Sequence, residues 1–260
     1  MSEYDKVVGY YAKRAKSYDK QKSRTWQSAT GFQKDLLDEI VKHCSQTTGN
    51  VIELGVGTGR VASVIIQKLG RVVVGVDVSP DMLRLAKVKA EEGGYADRII
   101  LMQGNMENLP FVDGVFGCGL VISAYHYIVK DKEATLEFHR ILGVGGKFII
   151  GDLIVDDRDS QGFFDALEKA ASPVHHRYHK FKERRELFEG AGFKHISEVV
   201  FSYKKKFEDI VQDKAAYFSE RNATVKFKEM LKNAPTEIKE IYQIGHDDMM
   251  LYYGVSVFEA

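Results

Sequence analysis

The sequence predicts an α/β protein on a doubly wound, mostly parallel sheet, with helices on both faces and a helical insertion before the last strand. Three observations carry that expectation. Short apolar runs alternate with stretches of helical spacing from Asn50 to Asp152, the pattern of buried strands joined by crossover helices. The first apolar run passes into three spaced glycines, Gly55, Gly57 and Gly59, which let a backbone approach a ligand at the carboxyl end of a sheet. The closing segment Met250–Phe258 alternates through Leu251, Tyr253, Val255 and Val257. A strand therefore returns to the sheet after 207–248, a block with helical spacing.

The elements follow in chain order. Residues 5–20 and 28–44 carry helical spacing, and Leu36, Leu37, Ile40 and Val41 make one apolar face. Asn50–Leu54 reads as a strand, Arg60–Leu69 as a helix and Arg71–Val76 as a buried strand. Ser79 is a good N-cap and Pro80 a good first residue for a helix that runs to about Glu91 and stops at Gly93-Gly94. Arg98–Gln103 is the next strand, followed by a loop with Asn105, Asn108, Pro110 and Gly114. Val115–Ile122 reads as a strand, Asp131–Leu142 as a helix, Gly143–Gly146 as a turn and Lys147–Asp152 as a strand. Gln161–Ala171 and Phe181–Glu189 look helical, Gly190-Ala191-Gly192 ends the second, and Lys194–Tyr203 alternates as a strand. The 207–248 block holds two or three helices, and Lys204-Lys205-Lys206 before it guards an edge strand.

Composition bounds the function. The 260 residues carry 37 basic and 37 acidic side chains and no net charge, which removes the simplest warrant for a nucleic-acid partner. Four prolines argue against a disordered linker. The N-terminus has no apolar core of a signal peptide, and the longest uncharged stretch, Gly114–Val129, is too short to span a bilayer. Cys44 and Cys118 lie far apart in sequence and could form one bridge, but are expected to be buried free thiols of a cytoplasmic protein.

The most informative stretch is Val51–Gly59. Asp77 lies eighteen residues past Gly59, at the end of the second strand, where a carboxylate accepts both hydroxyls of a ribose. A dinucleotide loop needs Gly or Ala at the sixth position from Gly55, and that position is Arg60. Glu53, two residues before Gly55, repels a pyrophosphate and suits a cationic cofactor with an amino group.

On these residues the chain resembles the class I S-adenosylmethionine-dependent methyltransferases, over most of its length. Glu53-x-Gly55-x-Gly57-x-Gly59 is similar to the family's first motif and Val76–Leu83 to its second. The resemblance implies Asp77 on the ribose, with Val78 beside it and Met82 against the adenine. Gln103–Pro110 is similar to the segment that reads the adenine edge, which implies contacts from Asn105 and Met106. Leu120–Ile128 resembles the fourth-strand segment, with Ile122 at the cofactor, and Leu142–Ile150 resembles the entry to the fifth strand. Tyr10–Asp19 looks like the N-terminal segment of the small-molecule branch near the ubiquinone/menaquinone-biosynthesis enzymes. There it closes over the cofactor, so Arg14 and Tyr18 would approach the methionine end. The family's fold is Rossmann-like, seven-stranded, with the last strand antiparallel, a place that 250–258 fits. Three positions depart from the family pattern: Asn105 and Gly117 each stand where Asp is usual, and Val144 where Pro is usual.

The resemblance implies a single domain over 1–260: a helical cover (1–45), a cofactor-binding core (46–155) and a substrate side (156–260) with the 207–248 insertion. The implied reaction is transfer of a methyl group from S-adenosylmethionine to a small-molecule acceptor, by a monomer or homodimer with neither nucleic acid nor a membrane span. The acceptor atom, O, N or C, stays open. Histidine is the side chain suited to hold a proton near neutral pH. His126, after the fourth strand, and His176, in the His175-His176-Arg177-Tyr178-His179 loop, are the candidate bases. That loop otherwise reads as solvated and basic. Asp152, Asp156 and Asp157 read as caps or solvated turns, and no metal site is predicted. Tyr10, Tyr11, Tyr18 and Trp26 could line an apolar substrate mouth. The rival readings are a cofactor-binding protein without methyl transfer, and an RNA or protein methyltransferase. NAD-dependent oxidoreduction is disfavoured by Arg60.

Overall fold

The computed structural model describes residues 4–13, 15, 31–172, 174–213 and 221–260. In chain order these form helix α1 over residues 4–13, α2 (Phe32–Ser45), β1 (Val51–Leu54), α3 (Arg60–Leu69), β2 (Val73–Asp77), α4 (Pro80–Glu92) and β3 (Ile99–Gln103). Then come β4 (Phe116–Ile122), a 3-10 turn at Tyr125–Tyr127, α5 (Asp131–Arg140), β5 (Leu142–Leu153), α6 (Phe163–Ala171), α7 (Phe181–Gly190) and β6 (Lys194–Lys206). The chain closes with α8 (Phe207–Asp213), α9 (Arg221–Lys232), α10 (Thr236–Ile241) and β7 (Asp248–Glu259).

The seven strands form one sheet in the order β3-β2-β1-β4-β5-β7-β6. The pairs among β1 to β5 are parallel, and β7 runs antiparallel to both β5 and β6. The order reverses beside β1, so the carboxyl ends of β1 and β4 flank the switch point where such sheets bind ligands.

Period-two alternation builds a core on each face. Val51, Ile149 and Val257 pack with Leu36, Ile40, Ile65 and Ile66 of α2 and α3. Their neighbours Ile52, Ile150 and Phe258 pack on the opposite face with Phe138 of α5 and Phe188 of α7. A third cluster joins α6, α9 and α10 to the start of β7 through Phe164, Phe227, Ile241 and Leu251. The helical block thus falls between β6 and β7, as expected.

Local signals hold where they are strong. Ser79 Oγ accepts from Met82 N at 3.4 Å with Pro80 in the first turn, and α4 ends at Gly93. Two boundaries move. The turn expected at Gly143–Gly146 lies within β5, because the chain end pairs with it: Gly145 N donates to Ala260 O and Ala260 N to Gly146 O, each at 2.9 Å. β6 runs on past Tyr203, and Lys204, Lys205 and Lys206 oppose Met250, Met249 and Asp248 on what is an edge strand.

Candidate functional site

A cavity of about 290 Å³ opens at the carboxyl ends of β1, β2 and β4. The glycine loop forms one wall. Gly55, Gly57 and Gly59 have φ of 70°, 54° and 76°, in the left-handed region. Space is also short: a Cβ on Gly55 would sit 2.5 Å from Ala124 Cβ. The loop is held to β2, where Val76 O accepts from Gly55 N at 2.8 Å and Val56 N at 3.0 Å.

Asp77 organises the next wall. Its Oδ2 accepts from Gly57 N and its Oδ1 from Ser79 N, both at 2.8 Å. Burial raises its pKa against these backbone donors. The carboxylate therefore fixes the glycine loop as well as lining the cavity.

Glu53 is 3% exposed, lines the cavity, and its Oε2 has no hydrogen-bond partner among the described residues. Burial pushes its pKa up to about 8; the Ala62 N–H and the Arg60 charge oppose that rise and Asp77 adds to it. An orphaned buried carboxyl oxygen is a cost that an ammonium ligand removes. Between its ordinary 4.5 and about 8 this group holds more proton in the folded than in the unfolded chain. Stability is then greatest below that window and falls as pH rises through it, by at most about 1.4 kcal/mol per pH unit. Urea unfolding from pH 5 to 8 should show this slope in the wild type and a shallower one in Glu53→Gln. Parallel slopes would refute it.

Val78, Asn105, Met106 and Ile122 also line the cavity. Asn105 Oδ1 accepts from Glu107 N at 3.0 Å, so part of its capacity serves its own turn. Glu107 Oε1 in turn accepts from Val129 N at 2.8 Å and Lys130 N at 3.2 Å, tying the loops on two sides of the cavity together. Gly59 and Met82 are not in the wall. Gly59 caps α3, and Met82 is 1% exposed at the start of α4. Arg14, Tyr18 and Trp26 lie outside the described residues.

Neither histidine expected as a base lines the cavity. Asp152 draws His126 into the protein: His126 Nδ1 lies 2.8 Å from Oδ2, and His126 N donates to the same carboxylate at 3.1 Å. Burial works against ionisation of Asp152, but the facing His126 and its hydrogen bonds outweigh it and keep the pKa low. His176 takes part through its backbone, whose N donates to His126 O at 3.0 Å. The loop is not the solvated segment expected. His175 and His179 are buried, with Nε2 at 2.7 Å from Asp165 and 3.0 Å from Asp131. Those carboxylates come from α6 and α5, outside the loop itself, so the loop's own composition could not reveal the burial. Asp156 binds Arg158.

Several lining residues were not singled out from sequence. Ser123 has φ 55°, strained for a residue with a side chain. Its N donates to Gly151 O at 2.6 Å, and its Oγ lies 2.8 Å from Tyr253 Oη. Tyr253 donates its one proton to Gly151 O at 2.7 Å, so Ser123 must donate to Tyr253 and keeps only lone pairs for other partners. Nothing in the local sequence marks this conformation. Tyr4, Val7 and Tyr11 of α1 roof the cavity, opposite Tyr127. Tyr11 Oη donates to Tyr127 Oη at 2.9 Å, and the rings meet edge-on at 5.7 Å. Of the four aromatics expected at the mouth, Tyr11 is the one found in the wall among the described residues.

The site can therefore take a ligand with a cationic end at Glu53 and hydroxyls at Asp77, under an apolar, aromatic roof. A family model described as a methyltransferase domain matches residues 52–150. A ubiquinone/menaquinone biosynthesis C-methyltransferase of a Geobacter species is 34% identical over 104 residues, 39% of this chain and 44% of that protein. The chain thus spans under half the length of the first curated relatives it matches. An uncharacterized protein of Methanocaldococcus jannaschii is 30% identical over 213 residues, covering 82% of this chain and 84% of that one. Among solved structures, the YcgJ protein of Bacillus subtilis superposes with a TM-score of 0.80 at 19% identity, over 87% of this chain and 98% of its own. A geranyl diphosphate methyltransferase in complex with S-adenosylmethionine reaches 0.64 at 16% identity, over 87% and 85%. No helix among the described residues is long and apolar enough to cross a membrane. Residues 52–150 thus belong to the methyltransferase domain family, with the glycine loop and the acidic pair at one cavity of a seven-stranded sheet.

Proposed function

We propose that the protein binds S-adenosylmethionine and transfers its methyl group to a small-molecule acceptor. The observation that carries this reading is the buried, partnerless Glu53 Oε2 in the same cavity as Asp77 and the glycine loop. Glu53 takes the cofactor's ammonium and Asp77 its ribose hydroxyls. Val78, Met106 and Ile122 give the apolar walls for the adenine, and Asn105 its polar edge, while Gly55 and Gly57 leave room for the backbone approach. Gly59 and Met82 support from behind, by capping α3 and filling the start of α4. The cofactor supplies an electrophilic methyl group. The chain aligns the acceptor with it and keeps water out, and such alignment supplies several kcal/mol. We read 1–260 as one domain acting in the cytoplasm, where buried thiols stay reduced.

Calorimetry tests the reading. S-adenosylmethionine and its demethylated product should bind, and NAD should not. Burial of an ammonium against Glu53 should also release a proton from the carboxyl near pH 7, seen as a heat that depends on the buffer's ionisation enthalpy. Binding of NAD, or of neither ligand, would overturn it.

We further propose that His126 positions rather than abstracts. Its ring and backbone N clamp Asp152 while its carbonyl holds the 174–180 loop, which fixes Ser123 and Tyr127 at the acceptor side. His126→Ala should then lower kcat about tenfold and leave the shape of the pH profile unchanged. A base costs about a hundred- to ten-thousand-fold and removes one limb of that profile. The second result, in His126→Ala or in His176→Ala, would restore a base at that position.

A further inference from the structure

We propose that Cys44 and Cys118 are a modification site: on exposure to an oxidant of the disulfide or peroxide class they join in an intrachain disulfide that staples α2 to β4. The inference is independent of the functional reading. The two sulfurs lie 3.3 Å apart, although the residues are 74 positions apart in sequence. Both residues are fully buried. A disulfide needs its sulfurs at about 2.05 Å, so roughly 1.3 Å of approach remains for two side chains to share.

Neither backbone is free to drift away. Cys44 ends α2, and its carbonyl accepts from Arg71 Nη1 at 2.7 Å, Thr47 Oγ1 at 2.9 Å and Thr47 N at 3.2 Å. Cys118 sits inside the sheet, opposite Val51 of β1 and Lys147 of β5. The bond therefore closes by side-chain rotation. Its rate is a separate matter. An oxidant reaches the pair only when the end of α2 opens, and the neighbouring Cys118 and burial push the Cys44 thiol up, so thiolate is scarce.

With a low-molecular-weight disulfide the chemistry balances without a further reactant. One cysteine thiolate attacks the reagent, breaks its S–S bond and releases one thiol. The second cysteine then displaces the other half, so two protein thiols are oxidised to one disulfide and the reagent is reduced to two thiols that take up their protons. With hydrogen peroxide one thiolate becomes a sulfenic acid as the O–O bond breaks and water leaves, and the second thiol displaces a second water to form the disulfide. The pair lies toward the amino end of the sheet: Cys118 opposes the first residue of β1, and the cavity lies at the far ends of β1 and β4. The staple thus fixes a helix without reaching the cavity.

The experiment incubates native full-length protein with excess oxidised glutathione or with hydrogen peroxide, then counts thiols in denaturant and measures intact mass. The expected product is monomeric, has no free thiol and is about 2 Da lighter, reverting with dithiothreitol. Its melting temperature should rise by roughly 5–15 °C, as for a cross-link that closes a long loop. Affinity for S-adenosylmethionine should be the same in both forms, and a change there would refute the claim that the staple spares the cavity. Cys44→Ala and Cys118→Ala should keep one thiol or take a glutathione adduct, with no rise in melting temperature. Two thiols surviving oxidation, a mixed disulfide that never resolves, a bond formed only in denaturant, or a lower melting temperature would each overturn the proposal.

Discussion

Replacing Asp77 by alanine is expected to weaken S-adenosylmethionine binding about ten- to a hundredfold while the sheet still folds. A hydrogen bond to a charged group is worth about 1.5–3 kcal/mol, and every 1.4 kcal/mol is about tenfold. Asp77 contributes twice, because it also holds Gly57 N and Ser79 N at 2.8 Å. Alanine removes the proposed ribose acceptor and leaves two backbone donors, Gly57 N of the glycine loop and Ser79 N, without their partner. Asp77→Asn separates the effects. It keeps the shape but offers only one acceptor oxygen, so one of the two donors faces an NH₂ group. Calorimetric titration should rank affinity as wild type, then Asn, then Ala. Equal affinity across the three would remove Asp77 from the cofactor site.

Gly117→Asp, which restores the residue type usual at that place, should destabilise the protein by about 3 kcal/mol or more. Overpacking ordinarily costs about 1–3 kcal/mol, and here the obstacle is backbone rather than a yielding side chain. A Cβ on residue 117 would fall 1.7 Å from the Thr48 carbonyl oxygen and 2.9 Å from its carbon. Gly117 N also donates to Asn50 O at 3.1 Å, which pins β4 against the 48–50 turn. Gly117→Ala should already show most of the loss, since the Cβ alone makes the clash. Urea denaturation measures it, and a midpoint equal to the wild type's in both variants would show that the turn moves freely aside. The glycine at this position is thus a consequence of how closely the turn before β1 crosses β4.

Much of this was legible in the sequence because the signals are local. Ser79 and Pro80 start α4 where a cap and a first-turn proline should. The strands are found because apolar runs of four to seven residues between glycines admit few other readings. Glu53, Gly55, Gly57 and Asp77 could be placed together because the first two strands of such a sheet are neighbours, and they do line one cavity. What escaped depends on partners outside the segment concerned. The continuation of β5 through Gly143–Gly146 needs Ala260. The burial of His175 and His179 needs Asp165 and Asp131. Ser123 is left-handed although nothing beside it demands that, and its fixing partners are Gly151 and Tyr253.

The roof of the cavity bears on how a ligand leaves it. Tyr4, Val7 and Tyr11 of α1 cover the site, and Tyr11 meets Tyr127 across it, hydroxyl to hydroxyl and ring edge to ring face. A ligand that leaves past α1 must part that contact. A neutral hydrogen bond nets about 1 kcal/mol and an aromatic pair about as much, so separating the two tyrosines slows departure by roughly tenfold to thirtyfold and does not trap the ligand. The contact therefore lengthens the residence of a ligand that leaves that way, as lids do in enzymes whose release they gate. Tyr127→Phe, which deletes one hydroxyl and keeps the ring, shortens that residence and speeds exchange at little cost in affinity for the pocket beneath.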